Sequence, residues 1–518
     1  MKRLPLDVSS FKLMIEGDYL YIDKTRIIFD LLRDRRLFFL ARPRRFGKSL
    51  LISTLIELFS GNKALFESTW IGQTSDYEWQ KHPVIYLDFS TLKNDNPHNF
   101  ETHLIWQLEQ IAKKYNITVT EAPFLGAKLQ FLIEQLALKN NVVILIDEYD
   151  YPLLSNIKNL GIAEEIKKVI RDFFTVIKSL NTHIRCLFIT GVTRFSKTSI
   201  FSGMNNLNDI TMHSDAAALL GYTENEIKQE LSGYVQRFAD AKNMSIEQVY
   251  ALMQEWYNGY RFSDAKVKVY NPYSVIHALH AQKFSNYWLA TGTPSFLVEL
   301  LKSKYHDIEE LKKTELSSAS LGTFELNHIP LVTLLFQTGY LTISDYDTTT
   351  NRYRLAYPNA EVTESFKHYI IEAMSRAQAY EVDQSITQCR RALEAEDLDS
   401  FLAVIRGLFA HIPYQLHINK EAYYHTLFHV ILDLLGFPGQ SEVSTSKGRA
   451  DLVLETHACI YVFEFKIDSD PQVALEQIEA QRYYEKYVRH NKPLRLIGLA
   501  FNFKNKELTL DYVVKSLA

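Results

Sequence analysis

The feature that most constrains this chain is a Gly-Lys-Ser step set between an apolar run and a helical one. Leu37-Phe38-Phe39-Leu40 leads into Arg42-Pro43-Arg44-Arg45-Phe46-Gly47-Lys48-Ser49 and then Leu50-Leu51-Ile52-Ser53-Thr54-Leu55. The first run reads as a buried strand, the basic stretch as a turn and the last run as a helix. In that geometry backbone N–H groups of the turn converge at the helix N-terminus, which favours phosphate. Lys48 is then placed to reach β- and γ-phosphates and Ser49 to ligate Mg²⁺, with Arg45, Phe46 and Gly47 forming the cradle. The usual G-x-x-x-x-G-K-[ST] pattern has a glycine where Arg42 stands. The alternative is a basic turn that merely starts a helix.

A second run weighs against that alternative. Asn141-Val142-Val143-Ile144-Leu145-Ile146-Asp147-Glu148 is an apolar strand ending in two carboxylates about a hundred residues downstream. Asp147 is suited to hold Mg²⁺ through water, and Glu148 to polarise an attacking water. Further strand candidates at 84–89 and 185–190, with helical stretches at 100–115 and 162–180, alternate as a parallel α/β sheet requires. After the last of these strands come Thr190-Gly191-Val192-Thr193-Arg194. Thr193 is assigned to sensing a γ-phosphate and Arg194 to stabilising its charge.

Beyond Gly221 the pattern turns helical, clearest at 224–238 and 246–256. Residues 331–343, a polar turn at 348–351 and Tyr353-Arg354-Leu355 suggest a hairpin appended to helices, as in a winged helix. Charged helical sequence at 361–410 bridges to a last α/β unit of about 100 residues, large enough to fold alone. The expected domains are thus 1–220, 221–360, a helical linker 361–413, and 414–518.

The last unit carries a second candidate site. Gly448-Arg449-Ala450-Asp451-Leu452-Val453 and Tyr461-Val462-Phe463-Glu464-Phe465-Lys466 read as two strands of a hairpin. Side chains alternate along a strand, so Glu464 and Lys466 share a face, and Asp451 can converge on them. Asp451 and Glu464 would bind Mg²⁺ against a scissile phosphate, and Lys466 would orient or deprotonate a water. Glu421, opening a preceding helix, is a further candidate metal ligand, and Gln477 and Gln481 share a face of the following helix near Tyr484. A solvated surface hairpin is the alternative. It fits poorly with an otherwise apolar strand, because buried charge needs a partner.

The motifs together resemble a known arrangement. Tyr21-Ile22-Asp23-Lys24-Thr25, the loop 42–49, Ile146-Asp147-Glu148-Tyr149-Asp150 and Phe195-Ser196-Lys197-Thr198-Ser199-Ile200-Phe201-Ser202 resemble the bacterial AAA-ATPase-like family. So do Asn205-Asn206-Leu207, Asp209-Ile210-Thr211, Trp256-Tyr257-Asn258-Gly259-Tyr260 and Tyr287-Trp288-Leu289-Ala290-Thr291-Gly292-Thr293-Pro294. The resemblance implies a P-loop NTPase sheet of the AAA type, ATP as ligand, and Arg42 as the family's own form of the loop. The final unit resembles the PD-(D/E)XK nuclease superfamily, which implies a restriction-endonuclease-like α/β domain. Asp451 and Glu464 match its two acids, Lys466 its lysine, Glu421 the acid of the preceding helix, and Gln477 the glutamine of the following one. The Q-x-x-x-Y spacing is absent, since Gln477 plus four is Gln481.

Composition bounds the partners. A net charge of −4 excludes a globally basic nucleic-acid coat, and 47% hydrophobic residues exclude disorder. Three distant cysteines, Cys186, Cys389 and Cys459, make neither a disulfide framework nor a zinc knuckle, and no signal or membrane span is read, so a cytoplasmic protein is expected. Lys486, Arg489, Lys492, Arg495, Lys504 and Lys506 are candidates for local nucleic-acid contact. The expected function is an ATPase coupled to a Mg²⁺-dependent nuclease acting on DNA or RNA. The competing one is a regulatory ATPase switch or scaffold that binds nucleic acid without cutting it. Oligomeric state stays open, a homo-oligomer with an arginine acting in trans being one form.

Overall fold

The computed structural model describes all residues except 75, 120–121, 197–199, 202–203, 205, 289–314, 376, 411–426, 429, 438, 446–447, 491, 505–506 and 518. The chain forms two compact units. One holds the described residues of Met1–Phe296 and Lys312–Thr363, the other those of Glu364–Ala518.

In the first unit β1 (Leu37–Ala41), β2 (Val84–Asp88), β3 (Val142–Asp147), β4 (Ile184–Gly191) and the short β5 (Asn208–Asp209) form a parallel sheet in the order β2-β3-β4-β1-β5. β1 and β3 are buried at every position, which is why they read as unbroken apolar runs: helices cover both faces of a parallel sheet. The order sets β4 between β1 and β3, with Ala41 opposite Gly191 and Ile146 opposite Ile189. The carboxyl ends of β1 and β3 therefore open on the same side, where ligands of open α/β sheets bind.

The helical region is as expected except at one point. The segment 224–238 is two helices, Glu224–Glu230 and Ser232–Lys242, broken at Leu231 where Ser232 and Gly233 weaken helix propensity. Glu224–Glu230 and Ile246–Tyr257 each start in a capping box, Thr223 with Glu226 and Ser245 with Gln248. With Pro272–Ala281 they enclose an apolar core that also takes up Leu20 and Ile22. β6 (Glu315–Ser317), β7 (Thr342–Asp347) and β8 (Arg352–Ala356) then form an antiparallel sheet in the order β6-β8-β7. The helix Leu331–Thr338 leads into it and stops at Gly339, whose φ of 90° suits glycine.

In the second unit β9 (Gly439–Thr445), β10 (Gly448–Glu455), β11 (Ile460–Ile467), β12 (Leu494–Lys504) and β13 (Glu507–Leu517) form a sheet in the order β13-β12-β11-β10-β9. β11 and β12 are parallel and the other pairs antiparallel. The helix Pro471–Gln481 makes the crossover between β11 and β12 and lies tight on β12 at Gly498. A Cβ there would fall 2.2 Å from the Pro471 carbonyl oxygen.

The segment 361–413, expected to be a linker, is part of this packing from Glu364 on. The Arg406 guanidinium donates to the Leu510 carbonyl of β13, Tyr512 Oη donates to Asp399, and Tyr461 Oη of β11 donates to the Leu393 carbonyl. The helices Ala379–Glu394 and Leu398–Ala410 bury their apolar faces in the process, which a charged-looking sequence concealed.

Candidate functional sites

The phosphate loop follows from local chemistry. β1 delivers the chain to a turn in which Arg45 (φ 67°) and Gly47 (φ 92°) are left-handed, and Gly47 caps the helix Lys48–Phe59. A side chain at 47 would be strained there, so the glycine before the lysine is required. Lys48 is buried, and its Nζ donates to the Arg42 and Pro43 carbonyls at 3.1 Å each. Burial pulls its pKa down, opposed by Glu148, Asp147 and Asp150. Glu148, left-handed at φ 50°, has its carboxyl pushed up by burial and held back by Lys48. Ser49 Oγ donates to Asp147 Oδ2 at 2.7 Å, while Thr190 Oγ1 and the Glu148 N–H donate to Oδ1. A serine hydroxyl and a carboxylate held together at the head of the loop form a hard oxygen pair that fits Mg²⁺.

These groups open on a cavity of about 610 Å³ lined by Arg44, Arg45, Phe46, Gly47, Lys48, Ser49 and Glu148. Its far wall comes from segments the sequence did not mark as ligand-facing: residues 5–9, Leu20 to Ile22, 219–222, and Tyr273 and His277 of the helix Pro272–Ala281. That wall is aromatic and apolar, and the Arg45 guanidinium lies over the Tyr273 ring at 4.7 Å. A site with cations at one end and aromatic faces at the other suits a nucleotide.

Three residues have other duties than a phosphate contact. Arg42 is 1% exposed: its guanidinium donates to the carbonyls of Ala41, Thr211 and Ala216 and lies 4.3 Å over Phe262. It staples the loop to the segment after β5, which gives a physical reason for arginine at a position that is usually glycine. Thr193 is fully buried, and its N–H and hydroxyl both donate to Asp150. Arg194 is ion-paired to Asp209 at 2.6 Å. Neither Thr193 nor Arg194 is among the residues that line the cavity. Their partners, Asp150 and Asp209, sit 43 and 15 residues away, and no spacing rule connects them.

The second site lies where β10 and β11 pair. Leu452 faces Phe463 in the register, so Asp451 and Glu464 come side by side on adjacent strands. Asp451 accepts from the Phe465 N–H at 2.9 Å. Glu464 is 2% exposed, its Oε1 stands 3.5 Å from Lys466 Nζ, and its Oε2 is buried with no hydrogen-bond partner among the described residues. Desolvation, then the nearby Asp451 charge, push the Glu464 carboxyl up to about 7, with Lys466 opposing. A buried acceptor with no donor is costly, and a second carboxylate beside it supplies the oxygen set a hard cation takes. Glu421 lies outside the described residues, and among those described no three acidic, His or Cys side chains gather as a metal site. Gln477 Nε2 donates to Tyr483 Oη at 3.4 Å, a pairing six residues apart.

Two of the six basic candidates are committed elsewhere: Lys492 pairs with Glu455 and Arg495 with Glu396, both at 2.7 Å. Among the described residues no helix is long and apolar enough to cross a membrane.

Comparison with known proteins agrees with both halves. The family model described as Predicted AAA-ATPase matches residues 5–201, and that of the PD-(D/E)XK nuclease superfamily matches residues 419–510. The chain belongs to the AAA-ATPase-like family and carries a PD-(D/E)XK nuclease superfamily domain behind it. It is similar over its whole length to the "Uncharacterized protein in vnfD 5'region" of Azotobacter chroococcum mcd 1: 34% identical over 528 residues, spanning 100% of this chain and 99% of that one.

Proposed function

We propose that the chain binds ATP at the loop 42–49 and cleaves phosphodiester bonds of nucleic acid at Asp451, Glu464 and Lys466, with nucleotide state governing cleavage. The cleavage half is carried by the buried Glu464 oxygen that has no hydrogen-bond partner among the described residues, set between a second carboxylate and a lysine. Asp451 and Glu464 would hold Mg²⁺, which when bound supplies charge to neutralise a scissile phosphate. Lys466 donates to Glu464 and is half-buried, so it can orient a water or take its proton on the same strand face. Apolar neighbours Phe463 and Phe465 keep the strand fixed and the charges poorly hydrated, which strengthens their interaction.

At the first site Lys48 and the loop N–H groups bind phosphate, Ser49 and Asp147 would hold Mg²⁺, and Glu148 is the candidate base for water. The aromatic wall supplies room for the base of a nucleotide. The decisive experiment is cleavage of single- and double-stranded DNA and RNA by the full chain with Mg²⁺ or Mn²⁺, with ATP varied. Cleavage that depends on both metal and ATP is the expected outcome. A chain that binds ATP but cuts none of the four substrates would instead be a switch or scaffold.

A further inference from the structure

Behind the cavity wall lies a carboxylate that does not line the cavity. Glu361 is fully buried in the first turn of the helix Ala360–Ser375. Its two oxygens accept the Ser274 hydroxyl at 3.0 and 2.8 Å, and Oε1 also accepts the Trp288 N–H at 2.8 Å. Burial pushes the carboxyl up to about 7, and these donors hold it there against a larger rise. Tyr257, Tyr260 and Tyr287 face it, their phenol pKa values raised by burial first and then by the Glu361 charge. A buried carboxylate is expensive to keep, so what it grips is informative.

It grips two parts of the candidate nucleotide site at once. Ser274 follows Tyr273, the residue that lines the cavity under the Arg45 guanidinium. Trp288 in turn donates from its indole Nε1 to the Arg44 carbonyl of the phosphate loop at 3.1 Å. In a trans peptide the carbonyl and the next N–H point in opposite directions. Holding the Arg44 carbonyl toward the indole therefore turns the Arg45 N–H the other way. Arg45 is also left-handed, a backbone state that a non-glycine residue keeps only when its surroundings impose it.

The geometry points to Glu361 as a positioning residue for nucleotide binding, acting through Trp288 on the Arg44–Arg45 peptide and through Ser274 on the cavity wall. This rests on the cavity being the nucleotide site. Glu361 contacts no ligand in this scheme. It fixes the loop in the shape that presents its N–H groups, so that less ordering remains to be done when phosphate arrives.

The test titrates a fluorescent ATP analogue against the full-length chain and its Trp288→Phe, Glu361→Gln, Glu361→Ala and Lys48→Ala variants, with melting temperatures alongside. Trp288→Phe keeps an aromatic ring on the Tyr340 side, 5.2 Å away, and removes the indole N–H together with part of the ring. It should weaken binding roughly five- to tenfold, the worth of one neutral hydrogen bond, with a melting temperature lowered by the smaller ring but still well above the assay temperature. Glu361→Gln keeps an acceptor for the Trp288 N–H and should bind within about twofold of wild type, while Glu361→Ala should match or exceed the Trp288→Phe loss. The double variant Glu361→Ala with Trp288→Phe should be no weaker than Glu361→Ala alone, because one path is broken twice. Wild-type affinity in Trp288→Phe and Glu361→Ala, with binding lost in Lys48→Ala, overturns the positioning role and leaves the nucleotide site standing. A wild-type chain that binds neither this probe nor ATP overturns both.

Discussion

Ser49 donates to Asp147 at 2.7 Å although β4 lies between β3, which ends in Asp147, and β1, which leads into the loop and helix that carry Ser49. That bond joins the head of the phosphate helix to the acid at the end of β3, and it leaves Lys48 and Glu148 facing the same cavity. The first prediction concerns that lysine. Its ammonium donates to the Arg42 and Pro43 carbonyls, but the cost of burying the charge offsets those bonds, so its net contribution to folding is small. Lys48→Met, which keeps the aliphatic stem, should lose ATP affinity by about 100-fold or more at unchanged or slightly higher melting temperature. Equilibrium binding and thermal unfolding of the same samples check both parts. Retained affinity would remove the phosphate-loop assignment.

Arg42 leads to the opposite result. Restoring the more usual glycine at this position should harm the protein, because the guanidinium fills its own site and donates to three carbonyls. Arg42→Gly leaves the Thr211 and Ala216 carbonyls without this donor and a void against Phe262, a loss on the order of 3 kcal/mol. Denaturant unfolding of the full chain measures it. A neutral substitution would mean that the loop does not depend on this staple.

How far these roles were readable depends on sequence distance. Asp147 and Glu148 stand at the end of an apolar strand and Lys48 and Ser49 at the start of an apolar helix, where short-range pattern is strongest, and β1, β3 and the helix Lys48–Phe59 were legible for the same reason. The far wall of the cavity was not, because residues 5–9, 219–222 and 272–277 meet the loop only through tertiary packing. The partners of Arg42, Thr193 and Arg194 were hidden likewise. In the second unit the hairpin β10-β11 was legible and the edge strands β9 and β13 were not. β13 pairs along its whole length with β12, yet it reads Glu507-Leu508-Thr509-Leu510-Asp511-Tyr512, the half-polar alternation of a strand on one edge. Its acids, lysine and serine are spread among its apolar residues and leave no unbroken apolar run of the kind that marks β11.

Cleavage should separate from folding at the second site. Asp451→Ala removes one carboxylate, and Lys466→Ala one half-buried cation, from a sheet whose core is Val453, Ile460, Val462, Leu475 and Ile478. Both variants should lose at least about 100-fold in phosphodiester cleavage while keeping a wild-type circular dichroism spectrum. Cleavage unaffected by either change would place the activity elsewhere or in a contaminant.

The raised Glu464 carboxyl gives a pH prediction with a defined sign. Its folded value of about 7 exceeds its ordinary value of 4.5, so between these two pH values the folded state holds the proton more tightly than the unfolded one. The stabilisation from that proton is fully present below about 4.5 and lost as pH rises through about 7. Metal-free wild type should therefore fall behind Glu464→Gln at pH 8, and the gap should close by pH about 5, since the amide stays neutral throughout. Mg²⁺ should reverse the order at pH 8, because the ionised carboxylate is the form that accepts a cation. Melting curves of the full chain in chelator, then in excess Mg²⁺, at the two pH values read out both effects. Equal melting temperatures for the two proteins at pH 8 in chelator would show that Glu464 carries no strained charge, and the metal reading of the β10-β11 site would lose its chief support.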